Sequence, residues 1–160
     1  MSLGQEIIVS SEPKGIFLEG IIEGTPKPGT LMEVKPSTEP RESGAGYTFR
    51  VYQPGTNGER RPVMVLQPDS LQGKLATDAY VTGSWGKVYL PLMGELLNVL
   101  LKDISGTGDD FAIGAPLIAE SGSGKLLATT GSPESEPFIV METVTDPVAD
   151  HLTLCMYTGY

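Results

Sequence analysis

The sequence predicts a mostly β protein organised as one domain, and two observations carry that expectation. Glycine (20) and proline (13) together make up about a fifth of the 160 residues, against roughly an eighth in an average chain. Between these turn formers, apolar residues recur in short runs with strand-like alternation rather than in long helical stripes. A chain of this length can bury roughly two-thirds of its unfolded surface, so a hydrophobic core is possible without disulfide or metal staples. One cysteine, Cys155, excludes an internal disulfide.

The first fifteen residues, MSLGQEIIVSSEPKG, hold one apolar cluster, Ile7-Ile8-Val9, before polar and turn residues. They read as an N-terminal arm (1–15) or an edge strand, ahead of a single β domain spanning 16–160. Ile16, Leu18 and Ile22 alternate with Phe17 and Glu19, giving a first strand. GTPKPG (24–29) is a rigid turn, and Leu31 to Val34 follows as a short strand. PSTEPRESGAG (36–46) has no apolar side chain larger than alanine and reads as a long loop. Tyr47, Phe49 and Val51 then alternate with Thr48, Arg50 and Tyr52. Pro54–Pro62 is expected to be a hairpin connection with Asn57-Gly58 at its tip, leading into a buried strand, Val63 to Leu66. Asp69 or Ser70 could cap a helical turn before Thr77.

Two apolar runs, Ala79–Thr82 and Lys87–Leu92, flank Gly83-Ser84-Trp85-Gly86. Pro91 cannot donate to a ladder, so the second run is an edge, ends there or is bulged there. Glu95–Leu101 fits either a helical stripe or a strand buried on both faces; its shortness favours a strand. Phe111–Thr130 reads as strand, turn, strand around ESGSGK (120–125), Pro137–Thr145 alternates again, and Leu152–Tyr157 is the last strand. No internal repeat is evident.

The chain carries a net charge of −9. Nucleic-acid binding needs clustered cations, and anionic membrane surfaces attract basic segments, so neither partner is expected. The charge is uneven: residues 103–160 hold nine acids and one lysine, Lys125. Solubility explains this, and so does a basic partner surface. No secretory leader or membrane-spanning run is apparent, which points to synthesis in the cytoplasm.

The motifs that resemble catalytic or ligand sites lack essential parts. Gly122-Ser123-Gly124-Lys125 is not a phosphate loop, because Ala119 stands where the first glycine belongs and Leu126 follows the lysine. Asp103, Asp109 and Asp110 surround two glycines without a calcium-loop spacing. His151 is the only histidine, which leaves a zinc site or a Ser–His–Asp triad without support. Cys155, within an apolar run, reads as a buried thiol. No catalytic residue, metal or cofactor is expected. The partner-binding candidates are Ile7, Ile8, Val9, Arg60, Arg61 and Trp85. Trp85 is either a loop aromatic folded over the core or an exposed interface anchor. Arg60-Arg61 is either a solvated turn or a pairing site for acidic loops of a neighbouring copy.

Four segments together resemble the head decoration, or capsid cement, proteins of tailed bacteriophages. They are IIEGTPKPGTLMEV (21–34), DAYVTGSWGKVYLPLMGELLNVLL (78–101), FAIGAPLIAESGSGKLLA (111–128), and PFIVMETVTDP (137–147) with the closing strand. The resemblance runs over residues 16–160; the loop 36–62 is longer and more polar than that family suggests. It implies a small β-barrel or β-sandwich-like body of β-tulip type with an extended N-terminal arm. It further implies a homotrimer on the outer surface of a mature capsid, clamping neighbouring major capsid protein subunits. The rival expectations are a carbohydrate- or receptor-binding β module on a virion surface and, less favoured, a small β-barrel enzyme.

Overall fold

A computed structural model describes residues 7–9, 12–36, 46–54, 62–69, 71, 75–102, 110–120, 122–128, 137–145, 147 and 151–159. Among them are twelve strands and no α-helix. The first five are β1 (Ile16–Ile22), β2 (Leu31–Val34), β3 (Tyr47–Val51), β4 (Met64–Leu66) and β5 (Trp85–Leu90). They form a closed barrel in the order β1-β3-β2-β4-β5, with β5 returning to β1.

The barrel interior holds Ile22, Met32, Phe49, Met64, Leu66, Tyr80 and Val88. So small a cylinder has no room for a side chain at every inward position. Gly20 and Gly86 face each other across β1 and β5. A Cβ on Gly86 would lie 2.5 Å from Cγ1 of Ile22 and 2.9 Å from Cε1 of Tyr80. The Tyr80 hydroxyl reaches the Gln67 carbonyl at 2.9 Å, which satisfies its polar end inside the core.

The remaining strands are β6 (Leu96–Leu100), β7 (Asp110–Phe111), β8 (Pro116–Ala119), β9 (Leu126–Ala128), β10 (Phe138–Val140), β11 (Val144–Thr145) and β12 (Leu152–Tyr157). Five make a second sheet, β6-β12-β10-β8-β9, and β7 pairs with β11. A parallel bridge between Leu101 and Leu126 brings the β9 edge back towards β6. The Lys102 N–H supports it by donating to the Leu126 carbonyl at 2.8 Å.

The two halves share one core. Leu31, Val65 and Tyr89 point out of the barrel and pack with Leu97, Val99, Leu117, Phe138, Val140 and Cys155 of the sheet. Leu31 therefore faces one way and Met32 the other, as do Val65 and its neighbours Met64 and Leu66. Strands buried on both faces lose the polar half of their alternation, and this is why β4 reads as a continuous apolar run and β2 opens on two adjacent apolar residues, Leu31 and Met32. The Leu31 N–H also donates to the Gly124 carbonyl at 2.8 Å, joining the barrel to the β8–β9 hairpin.

The structure corrects two local expectations. Residues 54–62 do not join a hairpin: β3 and β4 each pair with β2, which lies between them. An Asn-Gly pair signals a tight reversal only when it joins its strands directly, and here the connection 52–63 is long. In β2, Glu33 lies opposite Arg50 of β3, and the Arg50 Nη2 lies 2.7 Å from Glu33 Oε1. Asn57-Gly58 itself, like most of the loop 36–46, lies outside the described residues. In the second case, the apolar run 79–82 is not a strand. It ends in a turn closed by the Ser84 N–H on the Val81 carbonyl at 3.0 Å, so that β5 starts at Trp85.

Glu95–Leu101 resolves as a strand, and β5 ends at Leu90, just before Pro91. Of the two readings of Ile7-Ile8-Val9, the described residues show edge pairing. Ile8 bridges Leu97, the Val9 N–H donates to the Leu96 carbonyl, and the Ile7 carbonyl accepts from Asn98.

Candidate functional site

The barrel wall formed by β1 and β5 has one open face. Because Gly86 and Val88 face inward, strand alternation puts Trp85, Lys87 and Tyr89 on the outside. Their partners on β1 are Ile21, Glu19 and Phe17 in the same order. The outer face therefore alternates an apolar pair, an ion pair and an aromatic pair. Phe17 and Tyr89 meet with ring centroids 4.8 Å apart, and Lys87 Nζ lies 3.5 Å from Glu19 Oε1. The second sheet covers Tyr89 and leaves Trp85 and Phe17 open. Trp85 is 52% exposed and Phe17 48% exposed.

Trp85 is also held from the side. A Cβ on Gly46 would lie 2.9 Å from Cη2 of the indole, so the glycine lets the backbone approach the ring. Leu71, 94% exposed, borders the same cleft, and its N–H donates to Asp69 Oδ1 at 3.1 Å. Glu19, Asp69, Leu71, Trp85, Gly86 and Lys87 line a cleft of about 230 Å³. An exposed tryptophan and leucine beside charged groups have the composition of an interface anchor within a polar rim. A second cleft, of about 280 Å³, lies where the turn 24–30 meets the 120–125 hairpin, between Lys27 and Lys125.

The covered Tyr89 meets a buried carboxylate. Glu95 Oε1 accepts from the Tyr89 hydroxyl at 2.7 Å and from the N–H groups of Lys14 and Gly15 at 2.5 and 3.3 Å. Glu95 Oε2 accepts from the Leu92 N–H at 2.7 Å. Burial opposes ionisation of this carboxyl, but the Tyr89 hydroxyl and the three amides hold it below its ordinary range. Every donor is already committed, so the group is a structural clasp rather than a poised acid.

Other candidates have structural places. Ile7 is 1% exposed and belongs to the shared core, so the expected contact surface at 1–15 does not present this side chain. Ile8 and Val9 are half-buried along β6. Arg60 and Arg61 lie outside the described residues, as do Asp103 and Asp109. Asp110 pairs with Thr145 in the β7–β11 ribbon. Cys155 is fully buried, and burial together with the Glu142 charge pushes its thiol far up. The His151 carbonyl accepts from the Leu101 N–H just before β12. Gly122–Lys125 closes the β8–β9 hairpin, with the Glu120 N–H on the Lys125 carbonyl at 2.8 Å.

Sequence reasoning singled out Trp85 but missed Phe17, Leu71 and the Glu95 clasp. The alternation that set Phe17 opposite Ile16 and Leu18 was the available signal for the first. Leu71 lies in a segment with no periodicity, and Glu95 takes its meaning from partners distant in sequence.

No protein-family model matches the chain, and no curated protein matches its sequence. Among solved structures, the fold is similar to the N base of the head fiber of bacteriophage phi29, with a TM-score of 0.52 and 10% sequence identity. The similarity covers 90% of this chain and 94% of the other.

Proposed function

We propose that this protein is a structural component of the outer surface of a tailed-phage virion, acting as a decoration or cement protein that clamps neighbouring capsid subunits. The observation that carries the reading is the match of nearly the whole fold, end to end, to a phage head-fiber base. The exposed β1–β5 face, with Phe17, Trp85 and Leu71 open to solvent, supports it as a surface for a protein partner. The reading assigns no reaction: biology uses the rim of a rigid β body.

Rigid strands lose little freedom on docking, so modest contacts can hold. If three copies act as one trimer, each contact raises the effective concentration of the next. Binding only the mature, expanded shell would stabilise that state by mass action. Co-sedimentation of the purified protein with expanded, undecorated shells of the same phage tests this. Saturable binding at a fixed ratio to capsid subunits is expected, and a protein left wholly in the supernatant contradicts the reading. Light scattering on the free protein tests the trimer separately.

One observation favours a second reading, a carbohydrate- or receptor-binding module on the virion: an exposed indole beside two carboxylates also suits a sugar ring. Specific retention of the isolated protein on a glycan array would favour it.

A further inference from the structure

We infer that the Trp85 cleft is a socket for an arginine side chain of the partner protein, an inference that rests on the docking role proposed above. Its floor and walls come from three separate segments. Trp85 opens β5, Glu19 stands on the neighbouring strand, and Asp69 and Leu71 follow β4. The volume of about 230 Å³ suits one long side chain rather than a helix or an extended glycan.

The chemistry of the lining selects the occupant. Indole offers a negative π face to a cation. Glu19 and Asp69 supply carboxylate oxygens on the same rim, and a carboxylate receives a guanidinium through two parallel hydrogen bonds. A guanidinium can stack flat on the ring and bridge bidentately to an acid at once, because it is planar and weakly hydrated; an ammonium is a strongly hydrated point charge without that fork and fits less well. Leu71 and the indole edge would cover the methylene stem. Lys87 shares the cleft and lies 3.5 Å from Glu19 Oε1, but the side chains of this pair are 36% and 67% exposed. A long, solvated ion pair is weak, so Lys87 can yield its place to a better-shaped cation. The described lining carries two carboxylates and one ammonium, and the chain's net charge of −9 draws basic surfaces towards it.

Trp85 is the only tryptophan in the chain, so the intrinsic fluorescence of the intact protein reports on this cleft directly. The probes are a capped Gly-Arg-Gly peptide, its citrulline counterpart of the same shape without charge, and a neutral oligosaccharide. A saturable change with the arginine peptide is expected. The citrulline peptide should bind at least about fivefold more weakly, and Glu19→Gln should weaken arginine binding about threefold. Glu19 is on the surface, so that variant is expected to fold as the parent does. Equal responses to arginine and citrulline, a saturable response to the oligosaccharide alone, an unchanged affinity in Glu19→Gln, or no saturable change at all would each overturn the socket. The titration uses no shell. A flat result alongside shell binding refutes the socket alone, whereas arginine binding without shell binding refutes the docking role alone.

Discussion

Tyr89 donates its hydroxyl hydrogen to Glu95 Oε1 at 2.7 Å, and the same hydroxyl oxygen accepts from the Gly15 N–H at 2.7 Å. Two residues on either side of the β5–β6 turn thus hold Lys14 and Gly15, just ahead of β1, against the body. They connect the strand whose far end presents Trp85 to the segment that plugs Ile7 into the core.

Removing the carboxylate leaves several donors facing an apolar surround, and hydrogen bonds to a charged group are each worth about 1.5–3 kcal/mol. Glu95→Ala is expected to lower stability by roughly 3 kcal/mol, and Tyr89→Phe by about 1–2 kcal/mol. Urea titrations followed by tyrosine and tryptophan emission would measure both. A Glu95→Ala cost no larger than that of an exposed glutamate would rule out the clasp.

The clasp also sets an acid limit. The Glu95 carboxyl titrates below its ordinary value of 4.5, because the Tyr89 hydroxyl and the amides outweigh burial. A depressed folded pKa means stability that is present above the unfolded pKa and lost as pH falls through the folded one. The parent should lose stability below about pH 4.5, and Glu95→Gln should show a shallower loss over the same range. At the alkaline end the sign reverses. Burial pushes Tyr80 and Tyr89 up to about 12, so their contribution is intact below 10 and is lost as pH rises towards 12. Absorbance titration of tyrosinate should show late-ionising groups whose appearance coincides with unfolding.

Gly86 is required by the width of the barrel. Gly86→Ala places a methyl 2.5 Å from Cγ1 of Ile22, and overpacking of this kind costs about 1–3 kcal/mol. A fall in Tm, with Gly83→Ala as a comparison at a position with open space around it, separates crowding from backbone strain. Gly83 has φ 87°, so its alanine variant is strained without being crowded.

Ile7 occupies the shared core, so Ile7→Ala should cost about 2–4 kcal/mol. Deleting residues 1–15 should cost more, since it also removes the donors at Lys14 and Gly15. The deletion is therefore a stability lesion first. A loss of shell binding in it implicates the arm only if the shortened protein remains folded by circular dichroism.

These places mark the boundary of what the residues reveal on their own. Alternation located β1, β3, β10 and β12, because one face of each is more buried than the other, whereas β8 was located by the turn at 120–125 that follows it. In β12 it did not identify the covered side: Thr153 and Cys155 are buried, while Leu152, Leu154 and Met156 are half-exposed. Pairing was beyond local signals, since β2 lies between β3 and β4 and β1 runs parallel to β3. Trp85 stood out by composition alone, but the acids and the leucine beside it come from segments that only the closed barrel brings together.

The central claim is most directly tested by imaging expanded, undecorated shells mixed with the purified protein by electron cryomicroscopy. The account predicts added density at fixed positions on the outer surface, with the β1–β5 face and Trp85 against the capsid subunits. Shells that remain bare at saturating protein, or bound copies with that face turned to solvent, would contradict it.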